Sequence, residues 1–292
     1  MLKPVSNYAE LAALSVDAAL KAIRLAGKHA YDETPAATFS IGKSTDTHLF
    51  GDVTSELAMF NVVSEWGKSN KCFVYWWSEE LGKIRCGDLD SPLGSITVTA
   101  DGIDGTNPFK QHDEAGPIIT IASGSTPNYR DILASAIGLI YEDKIIVADV
   151  MFGLAYDYRN GEYTEFTTPR RELDAKLCWV DTYTAVAKIH AKDKVSSFLT
   201  TGSTAYTIYL VARCGHALLL DATDKLMFEQ HAMFAFAKAL GLILETFNDL
   251  LGFDSHSMLG WQMNPDPESP DQLAFYFVPR ASFKTQAIRL FG

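Results

Sequence analysis

Apolar residues recur at helical spacing over residues 8–29, where Leu11, Leu14, Ala18, Ala22 and Leu25 fall on one face. That period predicts an amphipathic helix whose stripe packs on a core. Residues 32–51 lose the rhythm and read as a loop or hairpin. Helical spacing returns from Ser55 to Trp66. The pattern then changes to short apolar and β-branched runs at residues 71–77, 96–100, 117–123, 132–141, 145–152 and 162–166, which predict strands. Tyr158-Arg-Asn-Gly-Glu162 carries the Asn-Gly signal of a tight hairpin. This half predicts helices packed on a large, mostly antiparallel sheet. The polar stretch Thr167-Thr-Pro-Arg-Arg171 places a boundary near residue 175. Beyond it strand and helix alternate: strand 177–181, helix 204–213, strand 217–220, helix 229–240 and strand 242–246. A Pro-rich loop at 264–270 precedes a returning strand at 273–278. The expectation is an α+β domain over residues 1–175 and an α/β domain over 176–292.

Composition narrows the function classes. The chain has 292 residues and an apolar fraction of 47%, enough for a substantial core. Its net charge of −11 argues against a nucleic-acid partner. An acidic protein needs a cation to bring an anionic substrate into an acidic pocket. Cys72, Cys86, Cys178 and Cys214 are scattered, with neither metal spacing nor a disulfide framework. That suits a reducing compartment. No signal pattern or membrane-length apolar run is present, so the expected location is the cytoplasm. The seven histidines form no H-E-x-x-H pattern, which argues against zinc.

The candidate chemistry centres on Asp101-Gly-Ile-Asp-Gly-Thr106, which follows the strand pattern Ser95-Ile-Thr-Val-Thr-Ala100. Asp101, the Ile103 carbonyl and Asp104 offer oxygen ligands to one hard cation such as Mg²⁺. The N–H groups of Gly105 and Thr106 beyond them form an anion nest if a helix or turn starts there. The spacing alone fits a plain turn equally well. A second acidic pair, Glu79-Glu80, ends the strand of residues 71–77 and can reach the same metal. Trp76-Trp77 read as core.

These segments together resemble the inositol monophosphatase and fructose-1,6-bisphosphatase superfamily. Its hallmark is Asp-Pro-Ile/Leu-Asp-Gly-Thr/Ser, and Asp101–Thr106 differs at one place. Glu79-Glu80 matches the family's Glu-Glu pair. Gly51-Asp52-Val-Thr-Ser55 resembles its Asp-containing segment before a helix. Gly202-Ser-Thr-Ala205 resembles its Gly-Ser/Thr-x-Ala helix start, and Phe228-Glu229 its closing motif. The match spans roughly residues 50–245. The resemblance implies a layered αβαβα sugar-phosphatase architecture and a homo-oligomer, with a dimer favoured. It implies two or three Mg²⁺ ions held by Glu79, Asp101, the Ile103 carbonyl, Asp104 and Glu229, with Asp221 and Asp224 as fallbacks for Glu229. Asp52, with Thr106 or Glu80, corresponds to the pair that orients and deprotonates water. The bare residues also allow Asp52 to be a helix N-cap and Glu229 a first-turn acid complementing the helix dipole. Gly105, Thr106, Gly202, Ser203 and Thr204 would bind the phosphate ester. Arg213 or Lys225 would meet a distal phosphate.

Gly102 replaces the hallmark Pro. It is expected to loosen the loop that presents Asp101 and to weaken the Li⁺ inhibition that the resemblance implies. The resulting expectation is a Mg²⁺-dependent phosphatase of a sugar or polyol phosphate monoester. The alternatives are a 3′(2′),5′-bisphosphate nucleotidase of the same superfamily and a non-catalytic metal-binding regulatory relative.

Overall fold

A computed structural model describes residues 8–29, 50–90, 94–111, 113–170, 179–181, 201–216, 218–220, 227–249, 252–253, 263 and 274–278. Two long helices open the chain, α1 (Tyr8–His29) and α2 (Phe50–Ser69). α1 has the bounds that its apolar stripe predicts, and Leu11, Leu14, Ala18 and Ala22 on that stripe are buried. α2 begins five residues earlier than the predicted Ser55, so Asp52 lies inside its first turn.

Both helices cover one face of an eight-stranded sheet in the order β2-β1-β3-β4-β5-β6-β7-β8. Its strands are β1 (Phe73–Ser78), β2 (Gly82–Gly87), β3 (Ser95–Asp104), β4 (Gly116–Ser123), β5 (Ile132–Leu139), β6 (Lys144–Asp149), β7 (Leu154–Arg159) and β8 (Glu162–Glu165). Every neighbouring pair is antiparallel except β1 and β3, which run parallel. The β7–β8 turn has positive φ at Asn160 (53°) and Gly161 (90°), the backbone that the Asn-Gly signal predicts. β2 and β7 were not expected. β2 is short, half-exposed and carries Lys83 and Arg85, so it lacks the apolar run of a central strand.

The opposite face of this sheet is covered by α4 (Thr204–Ala212) and α5 (Met227–Leu240); between β3 and β4 lies a single short turn of helix, α3 (Thr106–Lys110). Two apolar clusters result. One joins α1, α2 and the sheet around the fully buried Trp76. The other joins the sheet to α4 and α5 around Phe228 and Phe236. Strands β9 (Trp179–Asp181), β10 (Leu218–Leu220), β11 (Ile243–Asp249), β12 (Gly252–Phe253) and β13 (Ala274–Val278) form a second sheet, ordered β12-β11-β13-β10-β9, with α5 against β11. The described residues thus stack as helices, sheet, helices and sheet, the layered α+β architecture that the motifs imply. Among them no helix is long and apolar enough to cross a membrane. Cys72, Cys86 and Cys214 are free thiols.

At the rim, Glu114 sits beside Glu142 and the Tyr141 backbone, and burial first, then Glu142, pushes its carboxyl up to about 7. Folded Glu114 therefore keeps a proton that the unfolded chain releases near its ordinary value. Stability is greatest below that value and declines as pH rises towards about 7. Glu114→Gln should flatten this decline, matching the parent near the ordinary carboxylate value and melting higher at pH 8. Thermal midpoints across that range check it; parallel curves for the two proteins would contradict it.

Candidate active site

Parallel pairing of β1 and β3 brings two acidic segments together. Their register aligns Ser78 with Ala100, so the residues that follow, Glu79 and Asp101, leave adjacent strands at the same end. Carboxyl ends of parallel strands are where ligand crevices form in such sheets. β3 runs on through Asp104 rather than ending before Asp101. Its register on β4 shifts between Asp101, opposite Ile118, and Asp104, opposite Gly116, so three steps on β3 match two on β4. That extra residue changes the parity of the pleat and returns Asp101 and Asp104 to the same side.

α2 packs on this segment. Asp52 Oδ1 and Asp101 Oδ1 both accept from the Ile103 N–H, at 2.9 and 3.0 Å. Asp52, Glu80, Asp101, Asp104 and Glu229 are buried, whereas Glu79 is exposed. Burial pushes the Asp52 and Asp101 carboxyls well above the usual carboxylate range. Neighbouring acids push further: Glu56, Glu80 and Glu79 act on Asp52, and Glu79, Asp52, Asp104 and Glu56 on Asp101.

The start of α4 closes the site from the second half. Ser203 is its N-cap, accepting from the Tyr206 N–H at 3.2 Å. The same hydroxyl donates to Asp104 Oδ2 at 2.7 Å, and the Ala205 N–H donates to that oxygen at 2.7 Å. Thr204 Oγ1 donates to Glu229 Oε1 at 3.0 Å. Gly105 (φ 90°) lies so close that a Cβ there would be 2.6 Å from Ser203 Cβ and 3.2 Å from the Gly202 carbonyl oxygen. Asp52, Glu79, Glu80, Asp101, Ile103, Asp104, Gly105, Gly202, Ser203, Thr204 and Glu229 therefore gather in one region, with Thr106 opening α3 beside them. Asp52 is not the N-cap outside α2 but a first-turn residue turned to β3. Glu229 likewise lies inside the first turn of α5, which starts at Met227.

Arg213 is not brought to this region. It follows α4 at the end remote from Ser203, where it bonds Asp157 at 2.8 Å and covers the Phe166 ring. Lys225, Asp221 and Asp224 lie outside the described residues.

Gly102 does more than loosen a loop. A Cβ at this position would come within 2.5 Å of the Asp52 carbonyl oxygen, 2.6 Å of Asp52 Oδ1 and 3.0 Å of the Glu56 nitrogen. The helix rests directly on the strand, and only glycine admits that approach. The expected freedom of Gly102 gives way to close packing because its neighbour is backbone, which cannot move aside alone.

One residue with no expected role belongs to the site, and another lies in the core near it. Glu56, one helical turn after Asp52, is fully buried and accepts from Ser78 Oγ and from the Glu80 and Leu81 N–H groups. Burial pushes its carboxyl up to about 8, against the pull of those donors. The four-residue spacing from Asp52 was the only sequence signal for it. His231, two residues after Glu229, is fully buried with Nδ1 3.1 Å from Thr99 Oγ1. Burial lowers it to about 3, so the ring is neutral.

Donor chemistry is the test of a metal here. The gathered donors are all oxygen, and the groups raising Asp52 and Asp101 are carboxylates, a setting that a hard divalent cation relieves. The donor set fits such an ion, although among the described residues no three acidic, His or Cys side chains close around one point as they stand.

Comparisons with known proteins bear on the fold. No protein-family model matches the sequence, and no curated protein does. Solved structures do match along most of the chain. A fructose-1,6-bisphosphatase from Leishmania major is similar with TM-score 0.68 and 13% identity, covering 94% of this chain and 93% of that one. A Toxoplasma gondii putative sedoheptulose-1,7 bisphosphatase gives 0.67 and 17%, covering 94% and 92%. An Anabaena inositol monophosphatase gives 0.63 and 12%, covering 98% of each chain. The chain therefore has the fold of the inositol monophosphatases and fructose-bisphosphatases, as its motifs imply.

Restoring the hallmark proline tests the packing at Gly102. Gly102→Pro should lower the thermal midpoint and expose the Ile103 amide to hydrogen exchange, because the start of α2 must retreat. Overpacking of this kind typically costs about 1–3 kcal/mol. An unchanged midpoint and unchanged Ile103 protection would show that the strand is free to accept a side chain.

Proposed function

We propose that this chain is a Mg²⁺-dependent phosphatase that hydrolyses a phosphate monoester of a sugar or polyol. One observation carries the reading. The carboxylates of Asp52, Asp101 and Asp104 are buried together at the carboxyl ends of parallel β1 and β3, and the start of α4 clasps Asp104. The shared fold with sugar bisphosphatases and an inositol monophosphatase supports it.

Glu79, Asp101, the Ile103 carbonyl, Asp104 and Glu229 would hold the Mg²⁺ ions. When bound, the metal lowers the pKa of a water and offsets negative charge on the phosphoryl group. The chain's own residues do the rest. Asp52 commits Oδ1 to the Ile103 N–H, so Oδ2 is the oxygen that takes the proton from the attacking water. Thr106, with Glu80, would orient that water. Gly105, Thr106, Gly202, Ser203 and Thr204 would line the phosphate side of the site, with the Ser203 and Thr204 hydroxyls donating to Asp104 and Glu229. Ser203 and the Ala205 N–H hold Asp104 Oδ2 from the second half, which would leave the other carboxylate oxygen for the metal.

Purified protein with Mg²⁺ and a panel of sugar, polyol and nucleotide phosphate esters should release inorganic phosphate from the first two classes. Preference for a 3′(2′),5′-bisphosphate nucleotide would move the substrate to that alternative. Release from no ester, with Mg²⁺ still bound, would favour a regulatory relative. Asp104→Asn should abolish activity and weaken Mg²⁺ binding by calorimetry; unchanged affinity would remove Asp104 from the ligand set.

Asp52→Asn probes the base. It keeps the shape and the acceptor for the Ile103 N–H while removing the proton acceptor. Its kcat should fall by about 10²–10⁴-fold, with Mg²⁺ affinity and thermal midpoint near the parent's. Near-normal kcat would leave Asp52 a purely structural link between α2 and β3.

A further inference from the structure

We propose that Glu56 is a positioning residue of the candidate site, whose carboxylate fixes the Glu79–Leu81 turn so that its acids face Asp101. The turn joins β1 to β2, whose ladder closes at Ser78 opposite Gly82 and leaves three residues outside it. Two of the three N–H groups in that turn donate to Glu56: Glu80 to Oε1 at 3.0 Å and Leu81 to Oε2 at 2.9 Å. The Ser78 hydroxyl donates to Oε2 at 2.6 Å and accepts from Trp76 Nε1 at 2.8 Å. A helical carboxylate 24 residues upstream thus replaces the partners that a longer ladder would supply.

The arrangement suits a carboxyl group. All three atoms facing Glu56 are donors, and a carboxyl keeps a lone pair for each even when it carries one proton turned away from them. An amide cannot do so, because its NH₂ meets at least one N–H or O–H head-on. Trp76 is fully buried and packs edge-on against Phe60 at 5.5 Å, so the far end of the relay is anchored in the core. Asp52 and Glu56 stand one turn apart on α2 and each grips a different acidic segment, β3 for one and the β1–β2 turn for the other. The spacing between the two sets of acids is therefore carried by the first turns of a helix. That this geometry serves metal binding rests on the phosphatase reading.

Glu56→Gln tests the proposal, with Ser78→Ala as the companion variant. Hydrogen exchange of the metal-free proteins reads the turn directly. In Glu56→Gln, the Glu80 and Leu81 amides should lose protection by roughly tenfold, as expected for a buried hydrogen bond removed from each. In Ser78→Ala those amides should keep it, since their bonds to Glu56 remain. Calorimetry with Mg²⁺ alone should show weaker binding in Glu56→Gln than in Ser78→Ala. In turnover, the Mg²⁺ concentration for half-maximal rate should rise more in Glu56→Gln than in Ser78→Ala. Unchanged protection at Glu80 and Leu81 would overturn the proposal, as would equal loss of Mg²⁺ affinity in both variants. If the parent neither binds Mg²⁺ nor releases phosphate, the phosphatase reading fails, and amide exchange alone still decides whether Glu56 holds the turn.

Discussion

Acidic side chains buried together set the terms on which this fold exists. Asp52, Glu56, Asp101 and Asp104 are carboxylates withdrawn from water within one region. Ionising two neighbours about 4 Å apart would cost roughly 4 kcal/mol at the effective dielectric of a protein surface, and desolvation adds to that, so Asp52, Glu56 and Asp101 hold their protons more tightly than free carboxyls do. Hydrophobic packing supplies the force that holds them there. Trp76 beneath one layer and Phe228 beneath the other keep β1, β3 and α5 in place whatever the charge at their ends. The backbone offsets part of the cost by aiming N–H groups at the acids: Ile103 at Asp52 and Asp101, Ala205 at Asp104, Glu80 and Leu81 at Glu56. A bound cation would relieve what repulsion remains.

The donors come from separated parts of the chain, and this makes the site a junction. β3 supplies the motif, α2 grips it from one face, and the start of α4 grips it from the second half. Gly105 is the point of contact, since the Ser203 side chain occupies the space where a Cβ would lie. The second half grips the motif at Asp104 Oδ2, to which Ser203 and Ala205 both donate. Thr99, Tyr129 and His231 extend the junction into the core as a buried polar contact whose histidine stays neutral.

Local signals in the sequence were strong where one face is apolar or a turn needs a special backbone. The stripe of α1 and the Asn160-Gly161 turn follow from them directly. Signals failed where tertiary contact replaces local preference. β2 alternates charged and apolar residues too briefly to stand out, and is a strand because β1 and α2 give it neighbours. Gly51 and Asp52 read as a break before a helix, yet α2 starts at Phe50 because its first turn is seated on Gly102. The motif acids were legible because spacing within one segment carries them. Glu56 was not, because its partners are 22 to 25 residues away and are mostly backbone atoms, which leave no mark on composition.

Gly102 shows why a departure from a hallmark must be judged against its neighbours. Proline at that place would stiffen the strand by limiting the unfolded chain, and glycine gives up that benefit. In exchange the Asp52 carbonyl and carboxylate come within contact of the strand itself, and Asp52 reaches the N–H that Asp101 also uses. The rigidity lost from the covalent chain is regained from a packed helix. The two solutions exclude each other, since the helix occupies the volume that a proline ring would fill. The residue at 102 and the depth at which α2 sits are therefore one choice, and the position of Asp52 follows from it.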